Sequence, residues 1–449
     1  MSPMSESMPR PRSPRDAAAG VAARLAAAGH VALFAGGCVR DLLMGREPAD
    51  YDVATDAVPA RVCALFRRTL QVGVQFGVVV VVTGKFRVEV ATFRSESGYA
   101  DGRHPGEVKF SDARQDALRR DFTVNGMFLD PLAGQGGRPG PTAPLDAVLD
   151  YVGGRADLAA RVIRAIGVAD ERFAEDHLRM LRAVRFAAVL GFEMESHTEQ
   201  AVVRLAPLIA DVSAERIWQE WAKVLASPAR AVGWRLAIRT GLAGVLWPEL
   251  IEHAAGIDSR LDRLAPAADA VAALACQFLP LSVAAVHDRC RQLALDNRRR
   301  EAVAWLVEHA ADLLAGQLDV VALKKRMADE NWPRLIEVAQ ASAGGEKGSR
   351  AISGRRVAGG SPATESSEIA RDPFSSLTAN LAAAGRIAPA KVAPPPLIDG
   401  HDVMALGQVE GPAVGRVLAA VYDAQLADAI RTREEAIALA RRLLASAGG

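Results

Sequence analysis

The chain has almost no net charge: 54 lysines and arginines stand against 53 aspartates and glutamates in 449 residues. That balance excludes a protein that coats a polyanion through bulk charge, so any nucleic-acid field must come from local clustering. Cysteine is scarce. Cys38, Cys63, Cys276 and Cys290 have neither metal-ligand spacing nor the density of a disulfide scaffold, which points to a reducing compartment and to buried small hydrophobes. No apolar run approaches the roughly 18 residues of a membrane span. The N-terminal MSPMSESMPRPRSPR lacks the apolar stretch of a secretory signal and reads as a disordered leader over residues 1–15. The expectation is a cytoplasmic protein with no membrane partner; the oligomeric state is left open.

The length is sufficient for two or three domains with real cores. Residues 16–155 mix helical and strand patterns: an alanine-rich helix over 16–29, a strand over Val31–Phe34, a helix from Val39 to Met44, a helix near 57–68, then a hairpin. The hairpin arms are Gly77–Val82 and Phe86–Phe93, joined at Thr83-Gly84-Lys85. From about Leu158 to Asn331 the strand signal disappears. Leu178, Leu181, Val184 and Ala188 share one helical face, and further helices are predicted around 213–225, 228–240 and 298–314. Residues 341–395 are rich in Gly, Ser, Ala and Pro and read as a flexible insertion with little capacity to build a core. Residues 396–449 return to helix, chiefly over 411–446. Boundaries therefore fall near 155, 225, 340 and 395.

Residues 36–55, GGCVRDLLMGREPADYDVAT, are the most informative stretch. Gly36 and Gly37 permit a tight turn close to a ligand's phosphates, and the helix that follows, carrying the pair Arg40-Asp41, presents an amide-rich N-terminus to an anion. Asp50 and Asp52 are placed on one strand with their side chains on the same face. Carboxylates so arranged can hold Mg²⁺, which bridges a triphosphate and lowers the pKa of an attacking hydroxyl. An Asp-x-Asp alone also occurs in ordinary turns and helix caps; its spacing after the glycine and Arg-Asp element gives it weight.

Three later stretches carry chemistry. Strand alternation sets Glu89 on the face opposite Val88 and Val90, either as a third metal-site carboxylate or as a solvated residue paired with Arg87 or Arg94. In RRDFTVN, Arg119 and Arg120 suit phosphate contacts, while Asp121 and Asn125 can bond ribose hydroxyls; the plainer alternative is a helix start capped by Asp121. In EDHLR, Asp176 and Arg179 lie three apart and project side by side on a helix. An acceptor beside a donor fork matches the Watson-Crick edge of cytosine, and adenine also offers an amino donor beside a ring acceptor. Guanine and uracil present the reverse and leave polar groups unpaired at roughly 1–3 kcal/mol each. An intrahelical salt bridge is the alternative. Arg182 and Arg185 continue the basic stripe. The segment Arg94–Pro105, polar and without periodicity, reads as a mobile loop. His253 and His287-Asp288 lack companions for a second metal site.

These residues resemble the class II CCA-adding enzyme (tRNA nucleotidyltransferase) and bacterial poly(A) polymerase family. Besides residues 36–55, VEVATFR (88–94), YADGRHP (99–105), RRDFTVNGM (119–127) and EDHLRMLRAVRF (175–186) occur in the family's order, over roughly residues 20–250, and the likeness resumes weakly at 396–440, where LIDGHDVMALG is similar to a recurring C-terminal segment. The resemblance implies an α+β protein: a nucleotidyltransferase-fold head (16–155, mixed or antiparallel sheet with helices), then an all-α neck (156–225), body (226–340) and tail (396–449). It implies a transferase that adds C and A to tRNA 3′ ends from CTP and ATP with Mg²⁺, releasing pyrophosphate. Asp50, Asp52 and Glu89 would be catalytic, Asp50 and Asp52 the metal ligands. Gly36, Gly37, Arg40, Asp41, Arg119, Arg120, Asp121, Asn125, Asp176, Arg179, Arg182 and Arg185 would bind nucleotide, and residues 94–105 would match a flexible loop that helps switch nucleotides. Gly126 stands where the family usually has alanine, and His177 where proline is common. A poly(A) polymerase, or an A-only or CC-only enzyme, shares these motifs.

Overall fold

A computed structural model describes residues 11–70, 77–97, 107–133, 147–344, 373–406 and 411–447. The first helix starts where capping chemistry places it. Ser13 accepts from the Asp16 amide at 3.1 Å and Pro14 occupies the first helical position, so α1 (Pro14–Ala27) begins inside the expected leader; residues 1–10 lie outside the described residues. Its small face, including Ala18, Val21, Ala22 and Leu25, is buried.

The chain then alternates between strands and short helices: β1 (Ala32–Ala35), α2 (Gly37–Leu43), β2 (Asp52–Thr55), α3 (Pro59–Leu65), β3 (Thr69–Leu70), β4 (Val78–Thr83) and β5 (Phe86–Thr92). β4 and β5 form the predicted hairpin, with Thr83 opposite Phe86 across a Gly84-Lys85 turn. After β6 (Arg94–Ser97), β7 (Glu107–Phe110) and α4 (Ala113–Leu118) come β8 (Phe128–Leu129) and β9 (Val148–Leu149). Among the described residues these build a seven-stranded sheet of order β3-β4-β5-β2-β1-β8-β9, antiparallel except where β2 runs parallel to β5. One face carries Phe34, Val53, Val79, Val81, Val88 and Val90 against α1 and α3; the other carries Leu33, Ala35, Ala54, Phe93 and Phe128. This is the expected α+β head.

One expectation changes in this region. Arg94–Ser97, read as the start of a mobile loop, pairs antiparallel with Glu107–Phe110 instead, because the backbone groups of residues lacking periodicity still need partners and a second strand supplies them. Residues 98–106 of that loop lie outside the described residues.

Helices follow: α5 (Gly154–Ala160), then α6 (Ala169–Glu175), α7 (Leu178–Leu190), α8 (Ser196–Leu205), α9 (Ala214–Leu225), α10 (Arg230–Arg239) and α11 (Leu242–Leu246). The strand signal does not vanish entirely. Val162–Ile163 (β10) and Glu193–Met194 (β11) pair in parallel, too short to leave a period in the sequence. Leu178, Leu181, Val184 and Ala188 are buried as their spacing predicts, and Trp221, Trp234 and Trp247 stack with ring centroids 4.8 and 6.2 Å apart.

The chain divides into two compact units, residues 1–224 with 232–251, and residues 225–231 with 252–449. The second is helical: α12 (Ala254–Arg263), α13 (Ala270–Phe278), α14 (Val283–Gln292), α15 (Asn297–Ala315), α16 (Val320–Met327), α17 (Trp332–Ala343), α18 (Pro373–Gly385), α19 (Gly400–Leu406), α20 (Pro412–Leu426) and α21 (Arg433–Ala447). A separate apolar cluster, including Ile398, Val403, Val421 and Ala436, closes α19, α20 and α21 on one another. No helix among the described residues is long and apolar enough to cross a membrane.

The flexible insertion expected over 341–395 is corrected at its end. Residues 345–372 lie outside the described residues, but 373–385 form α18, packed on α15. Composition hid this because Ala, Ser and Asn can pack tightly when a specific polar contact fixes them. Asn380 is fully buried; its amide nitrogen donates to the Leu313 and Gly316 carbonyls at 3.0 and 2.8 Å, and its oxygen accepts from the Leu318 amide at 2.9 Å. Asn380→Ala would leave these buried backbone groups unpaired. Urea unfolding should register a loss of about 1–3 kcal/mol; unchanged stability would mean α18 is not part of the core.

Candidate active site

The sheet ends where the chemistry begins. β1 stops at Ala35, paired with Asp52, because Gly36 turns the chain: its φ of 75° suits glycine, and a Cβ there would lie 2.9 Å from Arg120 Nη1. The Gly36 amide donates to Met127 O at 3.1 Å and α2 follows at once. With no strand partner beyond Ala35, β2 starts at Asp52, so Asp50 precedes the strand and does not share a strand face with Asp52 as expected. Tyr51 between them is buried against Phe34, with ring centroids 5.2 Å apart.

The parallel pairing of β2 with β5 sets Val53 opposite Val90, so Asp52, at the start of β2, and Glu89, in the middle of β5, each one residue earlier, stand side by side. Val53 and Val90 face the core, and alternation turns both acids the other way. The crowded protein around Asp52 and the charges of Glu89 and Asp50 push its carboxyl up to about 6, against a smaller opposing pull from Arg120. Acids that crowd a carboxyl in this way suit a hard cation with oxygen ligands. Among the described residues no three His, Cys, Asp or Glu side chains form a closed metal cage.

Asp52 and Glu89 open onto a cleft of about 490 Å³. Its wall unites most of the predicted site: Gly36, Gly37, Arg40, Asp52, Glu89, Arg119, Arg120, Asp121, Asn125, Asp176, Arg179 and Arg182. Asp41, Asp50 and Arg185 are not on the wall. Asp41 instead holds Arg40, accepting from its Nε at 2.8 Å, while Arg40 Nη1 donates to Asn125 Oδ1 at 2.8 Å. Arg185 donates to Glu220 at 2.5 Å and lies over the Phe186 ring, 3.7 Å from its centroid.

Several wall guanidiniums are held by fixed anchors. Asp116, buried in α4, accepts from Arg119 at 2.7 Å and from Arg120 at 3.0 Å. Burial alone would raise the Asp116 carboxyl, but these two arginines hold it below the usual carboxylate range. Asp121 is similar: burial is outweighed by Arg182, which donates at 2.5 and 2.9 Å, with help from the Phe122 amide and Asn125. Asp121 therefore secures Arg182 and does not cap a long helix; Thr123–Asn125 form only a 3₁₀ turn. Gly126 closes that turn where a Cβ would lie 2.7 Å from Val152 Cγ2, which accounts for glycine in place of alanine.

The region around Asp176 departs most from expectation. It is not one helix. α6 ends at Glu175, Asp176 is extended (φ −146°, ψ 103°) and α7 begins at Leu178. Asp176 and Arg179 both reach the cleft, yet each is held by a different partner: Arg179 Nη1 donates to Glu175 Oε2 at 2.7 Å, and Asp176 accepts from Arg216 of α9 at 2.9 and 3.1 Å. Asp116, Glu175, Arg216, Glu220 and Phe186 are thus structural partners absent from the predicted set. Asp116 was discoverable, three and four residues before Arg119 and Arg120, as was Glu175, four before Arg179; Arg216 and Glu220 are distant in sequence and leave no such signal.

A family model for the poly A polymerase head domain matches residues 32–164, and one for the probable RNA and SrmB-binding site of polymerase A matches 191–253. A CCA-adding enzyme from Geobacillus kaustophilus is 33% identical over 428 residues, 95% of this chain and 96% of that protein. CCA-adding enzymes from Lactiplantibacillus plantarum and Geobacillus stearothermophilus are 46% and 41% identical over 44% and 52% of this chain. Those two alignments span about half of each relative, 46% and 55%. The crystal structure of the Bacillus stearothermophilus CCA-adding enzyme in complex with CTP is 28% identical, superimposes with a TM-score of 0.72 and covers 98% of this chain and 100% of that one.

The raised Asp52 carboxyl has a consequence for stability. A folded-state value of about 6 means the folded protein holds this proton more tightly than the unfolded chain does. The resulting stabilisation is complete below about pH 4, the unfolded value, and is lost as pH rises through about 6. Asp52→Asn, which cannot ionise, should therefore melt above the wild type at pH 8, with the difference gone at pH 4. An equal difference at both pH values would contradict the assignment.

Proposed function

Because the chain belongs to the CCA-adding enzyme family, we propose that it is a template-independent nucleotidyltransferase that adds C and A residues to tRNA 3′ ends from CTP and ATP, releasing pyrophosphate, in the cytoplasm. The observation that carries this reading is that one cleft presents an acidic strand end, a guanidinium cluster and a separately anchored acceptor and donor, Asp176 and Arg179.

In this reading the 3′-hydroxyl oxygen of the RNA bonds to the α-phosphorus as the bond to the β-phosphate oxygen breaks, and pyrophosphate leaves. Family membership implies a divalent cation; we take it to be Mg²⁺, held by Asp52 with Asp50 and Glu89 nearby. Such an ion neutralises phosphate charge and acidifies the attacking hydroxyl. Arg119 and Arg120, fixed by Asp116, face the triphosphate, and Gly36 allows it a close approach. Asp121 and Asn125 lie beside the ribose. Asp176 accepts from the base amino group while Arg179 donates to its ring nitrogen and, for cytosine, its carbonyl. Residues 16–155 then act as a catalytic head and 156–225 as a neck carrying the base-reading pair, while the helical body and the tail from 396 hold tRNA. The body takes in α18.

Incubating the protein with tRNA lacking CCA, ending in C, or ending in CC, with CTP and ATP singly and together, tests the reading. Sequenced products should end in CCA from every start. Runs of A would instead identify a poly(A) polymerase, and products stopping at CC or extended only by A would identify a partial enzyme.

Two variant sets sharpen this. Asp50→Ala or Asp52→Ala should abolish addition while tRNA binding and folding persist, and normal turnover would sink the metal assignment. Arg179→Ala should lower C and A incorporation relative to U and G by about 1–3 kcal/mol of discrimination, measured with all four nucleotides; an unchanged preference would remove it from base recognition.

A further inference from the structure

Lys324 on α16 is 3% exposed, in a setting where lysine is rarely found without a partner. Its ammonium donates at 2.6 Å to the carbonyl of Leu426, the last residue of α20, and lies 3.8 Å from the Asp428 carboxylate, beyond hydrogen-bond reach. Capping α20 uses one of three ammonium donors. Asp428 holds a left-handed φ of 57° just past that helix, where glycine or asparagine is usual. An aspartate there sets a carboxylate between two ammoniums, because Lys391 Nζ lies 3.6 Å from its other oxygen.

These groups and Arg431 line a pocket of about 180 Å³. Among its described lining residues three cations face one carboxylate, a net of two positive charges. Leu397 and Gln425 line this pocket and also a second cleft of about 490 Å³, whose walls include Ile398, Leu418, Val421 and Tyr422. That is the size of a small-molecule site. α20 grips the proline-rich segment beside it: Tyr422 Oη donates to Pro394 O at 3.0 Å, while Gln425 donates to Pro395 O at 2.8 Å and accepts from the Leu397 amide at 3.1 Å. Prolines fix φ, so these walls are set before a ligand arrives.

An apolar cleft with an aromatic ring, opening beside a doubly positive pocket, matches a flat base joined to a phosphate. Charge decides which kind of phosphate. A phosphodiester of an RNA backbone carries one negative charge, as does a fatty carboxylate, whereas a phosphomonoester carries nearly two at neutral pH. We infer that the tail holds a second nucleotide site, sharing no lining residue with the catalytic cleft, that takes a free nucleoside phosphate: its base enters the apolar cleft and its phosphate meets Lys324, Lys391 and Arg431. The inference is independent of the base-reading assignment.

The test titrates the full chain calorimetrically with AMP, adenosine, inorganic phosphate and tRNA. AMP should bind more tightly than adenosine or phosphate alone. Lys391→Glu and Arg431→Glu, both at exposed positions, should each weaken AMP by at least about tenfold, the scale of one charge-assisted contact. Arg120→Ala, in the catalytic cleft, should leave that binding in place. Lys324→Met keeps the alkyl packing and should also weaken AMP; if it fails to fold, the two exposed variants decide. Loss of AMP binding in Arg120→Ala but not in the tail variants would assign it to the catalytic cleft and overturn the inference. Phosphate binding as tight as AMP would reduce the site to an oxyanion pocket and overturn it too. So would tail variants that weaken tRNA while AMP does not bind, which would make the lysines an RNA contact.

Discussion

Pairing of every guanidinium with a fixed anchor is the interaction on which the cleft depends. Arg40, Arg119, Arg120, Arg179 and Arg182 converge on one concave surface and would repel one another in a partly desolvated setting. They coexist because Asp41 and Asn125 hold the first, Asp116 the next two, Glu175 the fourth and Asp121 the fifth. Each anchor fixes direction as well as charge. Arg120 also lies over Phe128, and Arg40, Arg182 and Arg185 lie over Phe186, so aromatic faces limit the remaining freedom.

The acidic side of the cleft is built on the opposite plan. The Asp52 carboxyl is raised by its surroundings and then by Glu89, against an opposing pull from Arg120, with Asp50 adding a smaller push. Backbone register puts it there: β2 and β5 run in parallel, and both valines that follow the acids are locked in the core, so neither acid can turn away without exposing a valine. The structure accepts a local electrostatic cost where charge on a substrate would relieve it, and compensates through the packed face beneath. Such a trade is common where function and stability conflict.

What sequence reading could recover follows the range of the interactions. The α1 helix, the β4-β5 hairpin, the glycine turn and the alternation that points Glu89 away from the core are local, and the residues state them. Asp50 was misplaced because the start of β2 depends on where β1 ends. The break at Asp176 was invisible because helical spacing continues across it, and what occupies Asp176 is Arg216, forty residues on. α18 was missed for a related reason: one buried asparagine, serving three backbone groups from another segment, outweighs a composition typical of linkers. Tertiary partners decide such cases, and composition carries no record of them.

The most direct test of the whole account is the structure of this chain bound to CTP with a divalent cation. The cytosine edge should lie against Asp176 and Arg179, the triphosphate beside Gly36 and Arg120, and the metal on Asp52. Asp176 should still be held by Arg216, and Arg179 by Glu175. A base bound elsewhere in the cleft, with Asp176 and Arg179 closed on each other, would contradict it.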